Sequence, residues 1–321
     1  MENFFVFCNN FAPCYWYSKR LYWCRIFLFG IRIFLYKTCT IKKRTTFEYT
    51  KNRIKTVYFD YIIAFIFLAI LGNIFKFTQF KSIWHIFSEI LMLQNIGIPF
   101  ATGGINYPTW YLSVLITASP IIYFCLKKFN KKIYNIFSTI TILTIFATLI
   151  AVCGRLEYWQ NIGYVFYAPW LRGFADILLG TIIAQISEKF VLKSRLFVIV
   201  FEIITIIGIT MLTFNSILVL DFLAPILFSI LLFLSASELS LSHKIGSIKL
   251  LNNAEKVSFI FYLNQALAIY LTNYIFQNYS NYFILTIFLL AIFILLYFIS
   301  FLIKKFIVII INKIKQIFYI T

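Results

Sequence analysis

The chain has 321 residues, 62% of them hydrophobic and only 12% charged, with 29 Lys+Arg against 11 Asp+Glu. A soluble domain is nearer half apolar and a quarter charged, so this composition excludes an ordinary globular protein and points to a polytopic membrane protein. In a soluble chain a net charge of +18 would suggest nucleic acid; here it is the mark of basic loops held on the cytoplasmic side, and no nucleic-acid partner is expected.

The chain opens with "FFVFCNNFAPCYWYSKRLYWCRIFLFGIRIFLYK", apolar but interrupted by Lys19, Arg20, Arg25 and Arg32. One damaged span and an interfacial amphipathic helix both satisfy that pattern. No small-residue cleavage site follows it, so no cleavable signal peptide is expected. Residues 1–45 are set apart as a divergent or truncated apolar segment. Cys8, Cys14, Cys24 and Cys39 fall here. With Cys125 and Cys153 they include no C-x-x-C pair, and the chain has two histidines, so no metal site is expected.

Eight apolar runs of about 20 residues follow, the length that crosses a bilayer: 57–75, 109–126, 133–152, 162–186, 195–214, 216–236, 257–277 and 283–303. Between them lie basic clusters at 37–55, 127–132, 188–195, 244–256 and 304–315. These hold seven, four, three, three and four Lys or Arg, 21 of the 29 in the chain. The alternate loops hold only Lys76, Lys81 and Arg155. If each run crosses once, all five clusters share one face, which the positive-inside rule assigns to the cytoplasm. The expected fold is all-α, a transmembrane helical bundle of about eight spans over residues 46–310, with a short basic tail at 311–321. The loop 76–108 is partly apolar and reads as a re-entrant or interfacial segment.

Charges inside a bilayer are costly and each is a functional candidate. Within "YAPWLRGFADILLG" (167–180), Arg172 and Asp176 stand one turn apart on one face. They could glue two helices; the favoured expectation is an Arg that holds an anionic or carbonyl group, with Asp176 orienting it. Pro169 and Pro225 also fall inside predicted spans, where a proline frees a carbonyl that needs a partner. His85 and Glu89 have the i, i+4 spacing of a base and its orienting carboxylate, but a surface or interfacial contact is the favoured expectation. His243 belongs to a solvated loop. Trp110 and Tyr111 suit an interfacial belt. Ser113, beside them, has no base visible in sequence. Ser258, Tyr262 and Gln265 share a helix face with Asn264 nearby, a set that can bond between helices or bind ligand.

Four segments, taken in order, resemble the acyltransferase-3 family of integral membrane acyltransferases. They are "FEYTKNRIKTVYFDYIIAF" (47–65), "TWYLSVLI" (109–116), "LRGFADILLG" (171–180) and "VSFIFYLNQ" (257–265). The resemblance implies transfer of an acyl group, commonly acetyl, from cytoplasmic acyl-CoA to a hydroxyl of a surface-polysaccharide sugar. The partners would be the lipid bilayer and a glycan, the donor substrate acyl-CoA with no bound cofactor, and the location a bacterial plasma membrane. It assigns catalysis to Arg172, Asp176 and Ser113, substrate binding to Trp110, Tyr111, Ser258, Tyr262, Asn264 and Gln265, and acyl-CoA binding to Arg53 and Lys55.

The chain departs from the pattern in several places. The family's first span carries a catalytic His that has no counterpart here; Gln265 stands for a His, Thr56 and Phe59 for an Arg and a Pro, and Leu115 for a Glu. An enzyme inactivated by loss of the N-terminal His is therefore carried beside the active one. A glycan or lipid-linked sugar carrier is the alternative from another class. Reporter fusions placed after Lys128 and after Lys189 are expected to sit on the same side of the membrane; opposite sides would dismantle the span assignment.

Overall fold

The structure, a computed structural model, describes residues 44–76, 83–94, 96–97, 105–154, 156, 161–162, 166–214, 221–246, 254–276 and 282–319. The N-terminal segment and its four cysteines lie outside the described residues.

Helix α1 (Thr46–Ile74) begins with a reciprocal cap. The Glu48 amide donates to Thr45 Oγ1 at 3.2 Å, and the Thr45 amide donates to Glu48 Oε2 at 2.9 Å. This cap starts the helix ahead of the predicted span at 57, so the basic stretch 51–55 is helical rather than loop. A short helix α2 (Ile83–Ile90) and a single 3₁₀ turn (Tyr107–Thr109) lead into α3 (Trp110–Lys128). Helix α4 (Lys131–Cys153) is capped by Asn130, which accepts from the Ile133 amide at 2.8 Å. It ends at Gly154, whose φ of +68° is the left-handed stop that glycine adopts without strain.

A two-residue antiparallel bridge, Asn161–Ile162 with Phe166–Tyr167, then turns the chain into α5 (Ala168–Lys189). Pro169 sits in the first turn of α5 and Pro225 in the first turn of α7 (Leu223–Ser235). At that position a helix has no N–H bond to lose, so neither proline frees a carbonyl, contrary to the sequence expectation. The remaining helices are α6 (Arg195–Phe214), α8 (Leu241–Gly246), α9 (Ala254–Ile275) and α10 (Tyr282–Tyr319). The last runs through the basic stretch 304–315 without a break.

The result is an all-α membrane bundle. Five of the described segments are long and apolar enough to cross a membrane: Thr46–Ile74, Tyr107–Lys128, Lys131–Cys153, Arg195–Leu212 and Ile287–Phe306. Helices α5 and α9 have 22 residues each, about 33 Å and enough to cross, but carry polar residues that they turn inward. Helix α7 has 13 residues where a longer span was expected at 216–236.

Helix α3 is the axis. Leu112, Val114, Leu115, Ala118 and Ile122 are all buried among residues of α1, α4, α5 and α9. Leu68 of α1 packs with Ala266, Leu267 and Ala268 of α9 and Ile292 and Leu296 of α10. Leu212 of α6 packs with Ala224, Phe228 and Leu232 of α7, against Ile183 of α5. The outer faces of α4, α6 and α10 expose large apolar side chains such as Phe137, Leu143, Ile204 and Leu295. Lipid tails cover such faces without cost, whereas water would not.

Three polar ties involve the basic segments. The Arg44 carbonyl, just before α1, accepts from Tyr123 Oη at 3.1 Å and from Lys127 Nζ at 2.7 Å. Asp60 of α1 pairs with Lys304 of α10 at 2.7 Å. Buried Glu202 of α6 accepts from the Leu241 and Ser242 amides at 2.7 and 2.9 Å, beside Lys244.

Helices α3 and α5 approach most closely at Gly173, where an added Cβ would stand 2.7 Å from Val114 Cγ1. Valine is stiff at χ1 and does not swing aside. Gly173→Ala is expected to cost about 1–3 kcal/mol and lower the thermal midpoint in detergent. Adding Val114→Ala should restore most of the loss; no restoration would show that the contact is not the cause.

Candidate functional site

The site is built around the turn that delivers Trp110 to the head of α3. Trp110 and Arg172 are each 1% exposed, and the Arg172 Cζ lies 4.8 Å from the Trp110 ring centre. A guanidinium in a greasy interior is stable only when its desolvation is repaid by close partners. Here they are the indole face and the Leu156 carbonyl, which accepts from Arg172 Nη1 at 3.0 Å. Asp176 and Ser113 are both fully buried, each one turn deeper, on α5 and α3 respectively. Trp110 meets Tyr111 edge-on, and Tyr111 meets Tyr262 of α9 the same way, with ring centres 6.4 Å apart in both cases. An indole and two phenols thus form a continuous aromatic wall beside one cation. Trp170 of α5 closes the α3 side by donating Nε1–H to Thr117 Oγ1 at 2.8 Å.

The turn itself is pinned from three directions. Tyr262 Oη donates to the Pro108 carbonyl. Asn106 Nδ2 donates to the Leu263 carbonyl at 2.9 Å. Gln94 Nε2 donates to Thr109 Oγ1 at 3.1 Å, with the Thr109 carbonyl at 3.4 Å. Glu89 supports the turn from below. It is fully buried; Oε2 accepts from Tyr61 Oη at 2.6 Å and Oε1 from the Asn106 amide at 3.3 Å. The favoured expectation of a surface contact for Glu89 therefore fails, because α2 folds inward and puts the carboxyl between α1 and the turn. Gln94 and Asn106 escaped sequence reasoning, and so did the buried partners of Glu89. Their partners lie 15 to 157 residues away, and local spacing carries no trace of such pairs.

The sequence candidates thus divide. Trp110, Tyr111, Tyr262 and Arg172 converge, with Ser113, Asp176 and Asn264 buried on the same helices. Ser258 and Gln265 are half-buried on α9. Arg53 and Lys55 belong elsewhere. Arg53 Nε donates to Tyr49 Oη at 3.2 Å, and the Tyr49 ring stacks on Tyr123 at 4.3 Å. Tyr123 is 13 residues along α3 from Trp110, about 20 Å at 1.5 Å per residue. Lys55 is exposed, and two residues apart on a helix the two cations face different ways. His243 is exposed as expected, but it lies on the short helix α8 rather than in a loop.

Residues 11–305 match the model of the acyltransferase 3 family, described as an acyltransferase domain. The chain belongs to the acyltransferase 3 family. No curated protein and no solved structure matches it. The four motif segments that carried the resemblance all fall within the matched range, and three of them meet at the Trp110 turn.

Helix α2 is not a spanning helix. Burial pushes the Glu89 carboxyl above its ordinary range, and the Tyr61 hydroxyl and Asn106 amide pull it partway back. The folded chain therefore binds that proton more tightly than the unfolded chain does. Its contribution to stability is full below the ordinary carboxyl pKa and is lost as pH rises through the raised native value. Relative to Glu89→Gln, the wild type should gain thermal stability from about pH 7 toward about pH 4. Glu89→Ala should cost about 1–3 kcal/mol at either pH by stranding two donors. A wild-type-minus-Gln difference that is flat with pH would refute the raised carboxyl.

Proposed function

We propose that this acyltransferase moves an acyl group, acetyl as the resemblance implies, from acyl-CoA to a sugar hydroxyl of a cell-surface polysaccharide. The hydroxyl oxygen attacks the thioester carbonyl, the C–S bond breaks, and the hydroxyl proton ends on the departing CoA sulfur. An ester and free CoA result, so atoms balance without a redox partner. The observation that supports this most is the fully buried guanidinium of Arg172 stacked on Trp110 in a member of this family.

Charge develops on the carbonyl oxygen as the hydroxyl adds, and a preorganised cation is worth most at that moment. Arg172 supplies it, Asp176 orients it, and Ser113 offers a hydrogen bond. Trp110, Tyr111 and Tyr262 give the aromatic surface on which a sugar ring lies, with Ser258, Asn264 and Gln265 on the α9 side. Arg53 and the exposed Lys55 serve the CoA phosphates at the basic end, and α3 carries the separation between donor entry and transfer. A bacterial plasma membrane suits both substrates.

Cells carrying the chain are expected to add acetyl esters to their surface glycan, and Arg172→Ala should reduce that by roughly a hundredfold. Arg172→Lys keeps the charge but loses the planar stack, and should fall between the two. Equal ester content in wild type and Arg172→Ala would end this proposal. Glycan movement by purified protein that binds no acyl-CoA would replace it with a carrier.

A further inference from the structure

We propose that Glu89 is a positioning residue that works as a neutral acid, and that the hydrogen it shares with Tyr61 keeps Trp110 seated over Arg172. Tyr61 Oη stands 2.6 Å from Glu89 Oε2 and 2.8 Å from the Glu89 carbonyl oxygen. Both contacts have the length of a full bond, and a phenol has a single hydrogen to give. An ionised Glu89 would take that hydrogen and leave its own carbonyl facing an oxygen with nothing to offer. A protonated Glu89 supplies the second hydrogen: the acid donates to Tyr61 Oη, and Tyr61 donates to the carbonyl. Oε1 stays free to accept from the Asn106 amide at 3.3 Å.

The surroundings favour the acid. Glu89 and Tyr61 are both 0% exposed. Among the described residues no lysine or arginine pairs with Glu89, and an unpaired buried carboxylate costs far more than a neutral carboxyl. Its titratable neighbours are Tyr61 on α1, Tyr262 on α9, which donates to the Pro108 carbonyl, and His85 one turn back on α2. From α5, Arg172 reaches the turn at the Trp110 ring. The bonds then run on from Glu89 to that ring. The Asn106 carbonyl accepts from the Thr109 amide at 2.9 Å and from Thr109 Oγ1 at 2.6 Å, and Thr109 stands at the N-cap of α3, immediately before Trp110. Removing the carboxyl unties Asn106 from both α1 and α2, and the indole moves with it. That the seated groups perform acyl transfer rests on the function proposed above; the acid and its bonds do not.

The test uses the full chain in lipid nanodiscs and in cells. The infrared difference spectrum of wild type minus Glu89→Gln, at about pH 7, should show the carbonyl stretch of one neutral carboxylic acid; a carboxylate stretch in its place overturns the proposal. Glu89→Gln keeps every bond, because its amide donates to Tyr61 and accepts from Asn106, so it should retain most of the acetyl ester content of the surface glycan. Glu89→Ala and Tyr61→Phe should each lose roughly tenfold or more at matched protein level. Tyr61→Phe removes a single oxygen and takes over the comparison if Glu89→Ala does not fold. Acetyl-CoA binding to the purified variants should equal that of the wild type, which a general loss of fold would not allow. Wild-type ester content in Tyr61→Phe, or equal losses in Glu89→Gln and Glu89→Ala, overturns the positioning role and leaves the transferase. The acid stretch in a chain whose wild type adds no ester upholds the neutral acid and removes the transferase.

Discussion

A guanidinium with almost no exposure inside a membrane bundle constrains everything around it. Arg172 cannot shed its charge, and a bilayer interior offers no water, so the protein must hold partners for it at fixed distances. The indole of Trp110 is one such partner, and it works only while the ring stays over the cation. The bonds that pin residues 106–109 therefore have a common purpose. They come from α9, from Gln94 and from Glu89, and they fix where α3 begins. Proline at 108 stiffens the same turn and has no N–H to strand there.

The bundle separates two polar regions along α3. At one end stand Arg172, Trp110 and the aromatic wall; at the other, Tyr123 stacked on Tyr49 and close to Arg53, Arg44 and Lys127. Between them α3 is closely packed, down to the contact of Val114 with Gly173. The basic end is the one where the Arg44 carbonyl, just before α1, accepts from Lys127 in the last turn of α3. The two ends of α3 therefore differ in chemistry, a buried cation against aromatic rings at one and exposed basic groups at the other.

The membrane bundle was legible because apolar length is a local property that a run of residues carries by itself. Arg172, Trp110 and Tyr262 were legible for the converse reason, since a charge or a motif stands out against that background. What stayed hidden depends on contacts over distance. Hydropathy places the first described span at 57, but the Thr45–Glu48 cap starts the helix at 46, and capping is invisible to a hydropathy average. Pro169 and Pro225 looked like helix breakers because the predicted spans began too early; real first turns accept proline. Glu89 looked like a surface or interfacial residue paired with His85. Its burial follows from Tyr61 and Asn106, neither of which has any sequence relation to it.

The same bonds bear on the choice between transfer and carriage. A carrier must present its site to each side of the membrane in turn, so elements around the site have to rock or part. Here the turn at 106–109 is fastened to α9 by Tyr262 and Asn106, and to α1 through Glu89 and Tyr61. Rocking α9 away from α3 would break both of the first pair at once and leave buried donors stranded in hydrocarbon, where no water replaces the lost partners. Transfer asks the opposite of the scaffold: the cation and the aromatic wall must hold still while the thioester carbonyl gains charge. A site cross-braced in this way is better matched to holding two substrates together than to passing one of them across.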